Sequence, residues 1–172
     1  MRVGALPFAN EADKYRLSLF QWQLIGALSF ARERFSEGKQ VANFKSALKK
    51  LTQVLGVRYQ DVVWALKLEY GRFADRPHFH FIAAHLFPPN ATCERCEVLT
   101  CELFKGLWLR KGGGSESVVE VFDPKDNGLA YIAKPPGVRP AHAIRSFANF
   151  GVNGEFMLFS ENHLQAAKQS GQ

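Results

Sequence analysis

The chain has 172 residues, of which 47% are hydrophobic, and its 22 Lys and Arg against 16 Asp and Glu give a formal net charge of +6. That length suits one globular domain over residues 1–172 with a proper core and excludes a second catalytic domain. The first twenty residues lack a signal-peptide core and no later run is long enough to span a bilayer, so the chain is expected to be soluble, not secreted and free of membrane contact.

In chain order, the first predicted element is an apolar strand, Gln23-Leu24-Ile25-Gly26-Ala27-Leu28-Ser29-Phe30. A helix follows over about Gln40 to Leu55, where Val41, Phe44, Leu48, Leu51 and Leu55 recur at helical spacing and Gly56 makes a natural stop. Its Lys45, Lys49 and Lys50 are candidate phosphate contacts, or simply a solvated face. The segment Val62 to Glu69 alternates, with Val62, Trp64, Leu66 and Leu68 on one face and Val63, Ala65, Lys67 and Glu69 on the other. A turn over Gly71 to Arg76 leads into a second strand from about Pro77, so the two strands are expected to form a hairpin. A second helix is read from about Thr100 to Arg110, with Leu103, Leu107 and Trp108 inward. Gly112-Gly113-Gly114-Ser115 reads as a flexible turn, and it lacks the lysine of a phosphate loop. A strand over Ser117 to Phe122 closes at Asp123-Pro124. A short helix over Gly128 to Lys134 must end at Pro135-Pro136, and a last one starts at Pro140 and includes Ile144 and Phe147. This order predicts the α+β class, a central antiparallel sheet of about five strands with helices packed on it and a site on its other face. The core is expected over about residues 22–150, with residues 1–18 and 160–172 peripheral.

Chemistry concentrates in Arg76-Pro77-His78-Phe79-His80-Phe81-Ile82. Alternation places His78 and His80 on one face, about 6.5–7 Å apart along the strand, while Phe79 and Phe81 point into the core. Buried imidazoles need partners, so the pair is a metal-site candidate; the plainer reading is two half-exposed histidines on the wet face of a sheet. The hairpin can bring Glu69 beside them. Two histidines and one carboxylate leave coordination positions open, which suits a divalent ion acting as a Lewis acid rather than a closed structural zinc. Separately, Cys93, Cys96 and Cys101 with His85 upstream offer four ligands for a small structural zinc loop, against the reading of three ordinary reduced thiols.

Tyr131 and Lys134 would share one side of the short helix at i,i+3 spacing. A phenol with its ordinary pKa of about 10 is a weak nucleophile, and a nearby cation favours its phenolate. Alone, such a pair is more simply an aromatic anchor with a solvated lysine.

Taken together, His78-Phe79-His80, Glu69 upstream, Tyr131 with Lys134, and the apolar strand ending in Leu28-Ser29 resemble the HUH endonuclease superfamily over about residues 22 to 134. The single-tyrosine rolling-circle replication initiators are the nearest members. The resemblance implies an HUH nuclease-like sandwich and a divalent cofactor, Mn²⁺ or Mg²⁺, held by His78, His80 and Glu69. It also implies attack by Tyr131, aided by Lys134, on single-stranded DNA to leave a 5′-phosphotyrosine link and a free 3′-hydroxyl. The substrate would be an origin sequence or hairpin, with a replicative helicase or polymerase acting in trans, in the cytoplasm or in the nucleus of a host cell. Lys67, Arg76, Arg139 and Arg145 are candidate nucleic-acid contacts, in keeping with the basic charge balance. Within the superfamily the rivals are a single-strand transposase, which usually differs where this chain has Glu69 and Lys134, and a relaxase. Histidine-triad hydrolases are excluded because Ile82 stands where they need a third histidine. A non-catalytic rival is a single-strand-binding module that stacks bases on Trp64, Phe79 and Phe81.

Overall fold

The computed structural model describes residues 17–31, 36–70, 76–87, 94–126 and 158–160. It has an α+β architecture in which two helices pack on an antiparallel sheet. In chain order the elements are β1 (Leu24–Ser29), α1 (Glu37–Leu55), β2 (Val63–Tyr70), β3 (Pro77–Ala84), α2 (Glu94–Arg110) and β4 (Val118–Val121); a two-residue strand, β5 (Leu158–Phe159), pairs with β2. The sheet order is β4-β1-β3-β2-β5. Among the described residues, no helix is long and apolar enough to cross a membrane.

Alternation divides the sheet into two faces. Leu24 and Leu28 of β1, Trp64, Leu66 and Leu68 of β2, Phe79, Phe81 and Ala83 of β3, and Val119 of β4 form one buried cluster with both helices. Helix α1 contributes Val41, Phe44, Leu48 and Leu51, as its 3.6-residue period dictates, and α2 contributes Cys101, Phe104, Leu107 and Trp108. Phe44 is the keystone between layers: its ring lies edge-on to Trp64, Phe81 and Phe104 at centroid distances of 5.4, 5.5 and 6.1 Å. Gly26 belongs to this face because a side chain there would overlap the Phe81 ring.

Both helices begin earlier than their apolar periods do. Ser36 caps α1 by accepting from Lys39 N, and Gly56 ends it with φ of 71°, the left-handed conformation that glycine adopts without a Cβ penalty. Helix α2 gains the stretch from Glu94 to Leu99, whose side chains are exposed or half-buried and so leave no apolar pattern to read. Glu94 and Glu97 favour a helix start there by complementing the positive end of the dipole.

The glycine turn expected to be flexible is tied down at several points. Gly113 N donates to Trp108 O, Gly114 N donates to Ser29 O, and Trp108 Nε1 donates to Ser29 O at 2.9 Å. The end of α2 is thus sewn to the end of β1. Two residues from the stretches expected to be peripheral pack into the described fold. Leu17 is fully buried in a second cluster with Trp22, Val63, Ala65, Ile82 and Ala84, and Ser160 donates its N–H to Trp64 O while its hydroxyl accepts from Trp64 N. The strand read from Val62 to Glu69 runs one residue further, so that Tyr70, expected to leave the sheet in a turn, is the last residue of β2 and pairs with Pro77.

Candidate metal centre

The β2–β3 hairpin fixes the site through its register. Glu69 lies directly opposite His78, and Lys67 opposite His80. Because 67, 69, 78 and 80 are all of the same phase, their four side chains stand together on the sheet face opposite α1 and α2. The far end of that face is the apolar second cluster, so the hairpin carries an oily patch at one end and a polar group of four at the other.

Within this group, His78 Nε2 and His80 Nε2 are 3.0 Å apart, and His80 Nε2 is 3.0 Å from Glu69 Oε2. One ligand atom from each of the three lies within 4.8 Å of the others, close enough to hold a metal ion. At 3.0 Å the two contacts of His80 Nε2 are of hydrogen-bond length, and ligands of one ion also lie this close together. The His78 ring is oriented from behind: Nδ1 lies 3.3 Å from Arg76 O, and donation to that carbonyl leaves the Nε2 lone pair facing its neighbours. His80 and Glu69 are buried, whereas His78 is half-exposed, so the donor set opens toward solvent on the His78 side.

Burial pushes the His80 pKa below its ordinary value. The Glu69 carboxylate pulls the other way, and His78 and Lys67 add to the lowering. A neutral imidazole is the form that ligates a cation, so the depressed value favours a ligand role. A cavity of about 270 Å³ runs from His80 past Gly26 and Ala27 to Glu120, Asp123 and Asp126, which gives the centre room beside it. A larger cavity of about 650 Å³, lined by Phe20, Trp22, His85 and Phe87 among others, does not include the three donors.

The remaining expected site residues fall differently. Lys67 is fully buried, with Nζ 3.9 Å from Glu69 Oε2, so it is part of the polar group rather than a surface contact for nucleic acid. Its place on the Glu69 face follows from alternation; its depth comes from packing. Arg76 is exposed at the start of β3, beside His78. Tyr131, Lys134, Arg139 and Arg145 lie outside the described residues, as does Cys93. Among the described residues the expected zinc ligands do not converge: Cys96 is disulfide-bonded, Cys101 is a buried free thiol, and His85 Nδ1 lies 3.1 Å from Asp61 O. Among the described residues, only Glu69, His78 and His80 gather as a metal-ligating group. The base-stacking platform fares no better, since Trp64, Phe79 and Phe81 are buried against the helices and present no ring face to a ligand.

No family model, curated protein or solved structure matches the chain.

Proposed function

We propose that this chain is a metal-dependent single-stranded DNA nickase and strand transferase of the HUH type, with the sheet and helices forming that superfamily's nuclease sandwich and the activity serving rolling-circle initiation. The observation that carries the reading is the convergence of Glu69, His78 and His80 donor atoms on the sheet face opposite α1 and α2, with His80 Nε2 3.0 Å from both His78 Nε2 and Glu69 Oε2. Three protein ligands leave positions for water and substrate, which is the arrangement of a catalytic rather than a structural centre.

When bound, Mn²⁺ or Mg²⁺ supplies Lewis-acid stabilisation of the charge that develops on phosphoryl oxygens. His78 and His80 contribute neutral nitrogen donors, and Glu69 the one anionic donor. The Tyr131 oxygen attacks the scissile phosphorus as its proton leaves, forming an O–P bond while the bond to the 3′ oxygen breaks and that oxygen gains a proton. The phosphodiester energy is kept in the 5′-phosphotyrosine link, so the free 3′-hydroxyl can later reverse the step or prime synthesis. Lys134 assists by favouring the phenolate. Arg76, exposed next to His78, contacts the DNA backbone near the cut, and Arg139 and Arg145 extend that contact.

Incubation with Mn²⁺ and single-stranded oligonucleotides is expected to yield a denaturation-resistant protein–DNA band of retarded mobility. Tyr131→Phe should abolish the band while DNA binding persists, and His78→Ala should remove both cleavage and its metal dependence. An undiminished adduct in Tyr131→Phe would reassign the nucleophile. Full binding with no adduct under any metal would leave a non-catalytic binding module.

A further inference from the structure

The first turn of α2 carries chemistry that the metal centre does not use. Cys96 is exposed and disulfide-bonded, whereas Cys101, further along the same helix, is a buried free thiol. Their spacing in an α-helix rotates one about 140° from the other, so the two sulfurs belong to different sides of α2. The sequence holds three cysteines, and with Cys101 free the bond of Cys96 runs to Cys93, which directly precedes the start of α2 at Glu94.

That bond is a poor staple for the fold. Only Glu94 and Arg95 lie between the two cysteines, and the stabilisation a disulfide gives by restricting the unfolded chain is least for the shortest loops. The side chains from Glu94 to Leu99 are exposed or half-buried, and none of them belongs to the core cluster. An exposed disulfide is open to attack by thiols, and bonds of this kind are the labile ones. Cysteines separated by two residues also have the spacing of thiol–disulfide exchange sites. The Cys96 end of the pair is held in place, since its carbonyl accepts from Thr100 Oγ1 at 2.8 Å and Thr100 is buried.

We infer that Cys93 and Cys96 form a reversible dithiol–disulfide site at the start of α2, opened and closed by small thiols of the glutathione class. In the opening direction a glutathione thiolate attacks one sulfur of the pair. A mixed disulfide forms as the Cys93–Cys96 bond breaks, and the other cysteine leaves as a thiolate that takes up a proton. A second glutathione thiolate attacks the mixed disulfide and releases glutathione disulfide, so two electrons pass from two thiols to the pair; closing is the reverse. Cys101 takes no part because the core covers it. Helix α2 packs on the sheet face opposite the metal donors, so the site stands apart from the nicking chemistry.

The test equilibrates the folded full-length chain in buffers of rising reduced-to-oxidised glutathione ratio, labels it with a maleimide without unfolding it, and reads each cysteine by peptide mass spectrometry. Air-oxidised protein should yield Cys93 and Cys96 in one linked, unlabelled peptide. Labelling of both is expected to rise together from near zero to complete in millimolar reduced glutathione, and to be lost again when oxidised glutathione is restored before labelling. Cys101 should stay unlabelled throughout. Cys96→Ser should leave Cys93 as an accessible thiol that takes up glutathione as a mixed disulfide. A pair that stays closed in millimolar reduced glutathione until denaturant is added is a structural bond and overturns the inference. Labelling of Cys96 in air-oxidised protein overturns it as well, and so does a stoichiometric zinc ion that the reduced protein retains and that blocks labelling.

Discussion

Single residues of this chain owe their chemistry to which face they occupy. His78 and Phe79 are neighbours in sequence, yet one stands in a polar cluster and the other in the helix-covered core, because strand side chains alternate. The same alternation, read from Val62 to Glu69, places Lys67 with Glu69. It cannot say that Lys67 is buried, since depth depends on what packs over a face and alternation reports only the face. Cys101 shows the converse. Its thiol lies in the core under α2, and burial pushes its pKa up to about 11 from 9.0. The thiolate is the reactive form, so at pH 8 folded protein should react with a disulfide reagent such as dithionitrobenzoate far more slowly than an exposed thiol does, with full reactivity released by denaturant. A raised thiol pKa also makes stability depend on pH: the contribution of this buried thiol is complete below pH 9 and is lost as pH rises toward 11. Fast reaction of the native protein at pH 8 would contradict the burial.

Elements are legible wherever burial is one-sided. The period of Val41, Phe44, Leu48 and Leu51 marks α1, and the hydrophobic alternation marks β2 and its hairpin partner. The first turns of α2 are not legible because they touch little of the core, and Val98 and Leu99 stand half or more exposed. The glycine turn departs from expectation for a related reason: glycine permits flexibility but also permits close approach, and only the neighbours decide which. At Gly113 they decide for close approach, since an added methyl would overlap the Trp108 indole, itself fully buried and bonded to Ser29 O. Gly113→Ala should therefore destabilise the protein by about 1–3 kcal/mol, the usual cost of overpacking, visible as a lower midpoint in urea. Retention of wild-type stability would mean that the α2–β1 junction is looser than its hydrogen bonds indicate.

At the scale of the whole molecule, the centre joins two strands across a turn, so ligand binding and hairpin stability are coupled. A cation that binds only the native state stabilises it by about 2.7 kcal/mol at a hundred times its dissociation constant. For a chain of this size that corresponds to a rise in Tm of about 5–10 °C. Mn²⁺ is expected to produce such a rise in wild-type protein and chelation to reverse it, whereas His80→Ala should show neither; an equal rise in His80→Ala would place the ion elsewhere. What the sequence determined by itself was local and periodic: the α+β order, the two-faced strands, and the three residues able to act as a metal-ligating set. Those follow from backbone geometry, which is the same for every chain. Tertiary structure alone decided that Glu69 falls opposite His78 in the hairpin register, that Lys67 is sealed beside it, and that, among the described residues, Cys101 and His85 join no metal-ligating group, because register and depth are set by how separate segments pack, and packing distances are not written in any one of them.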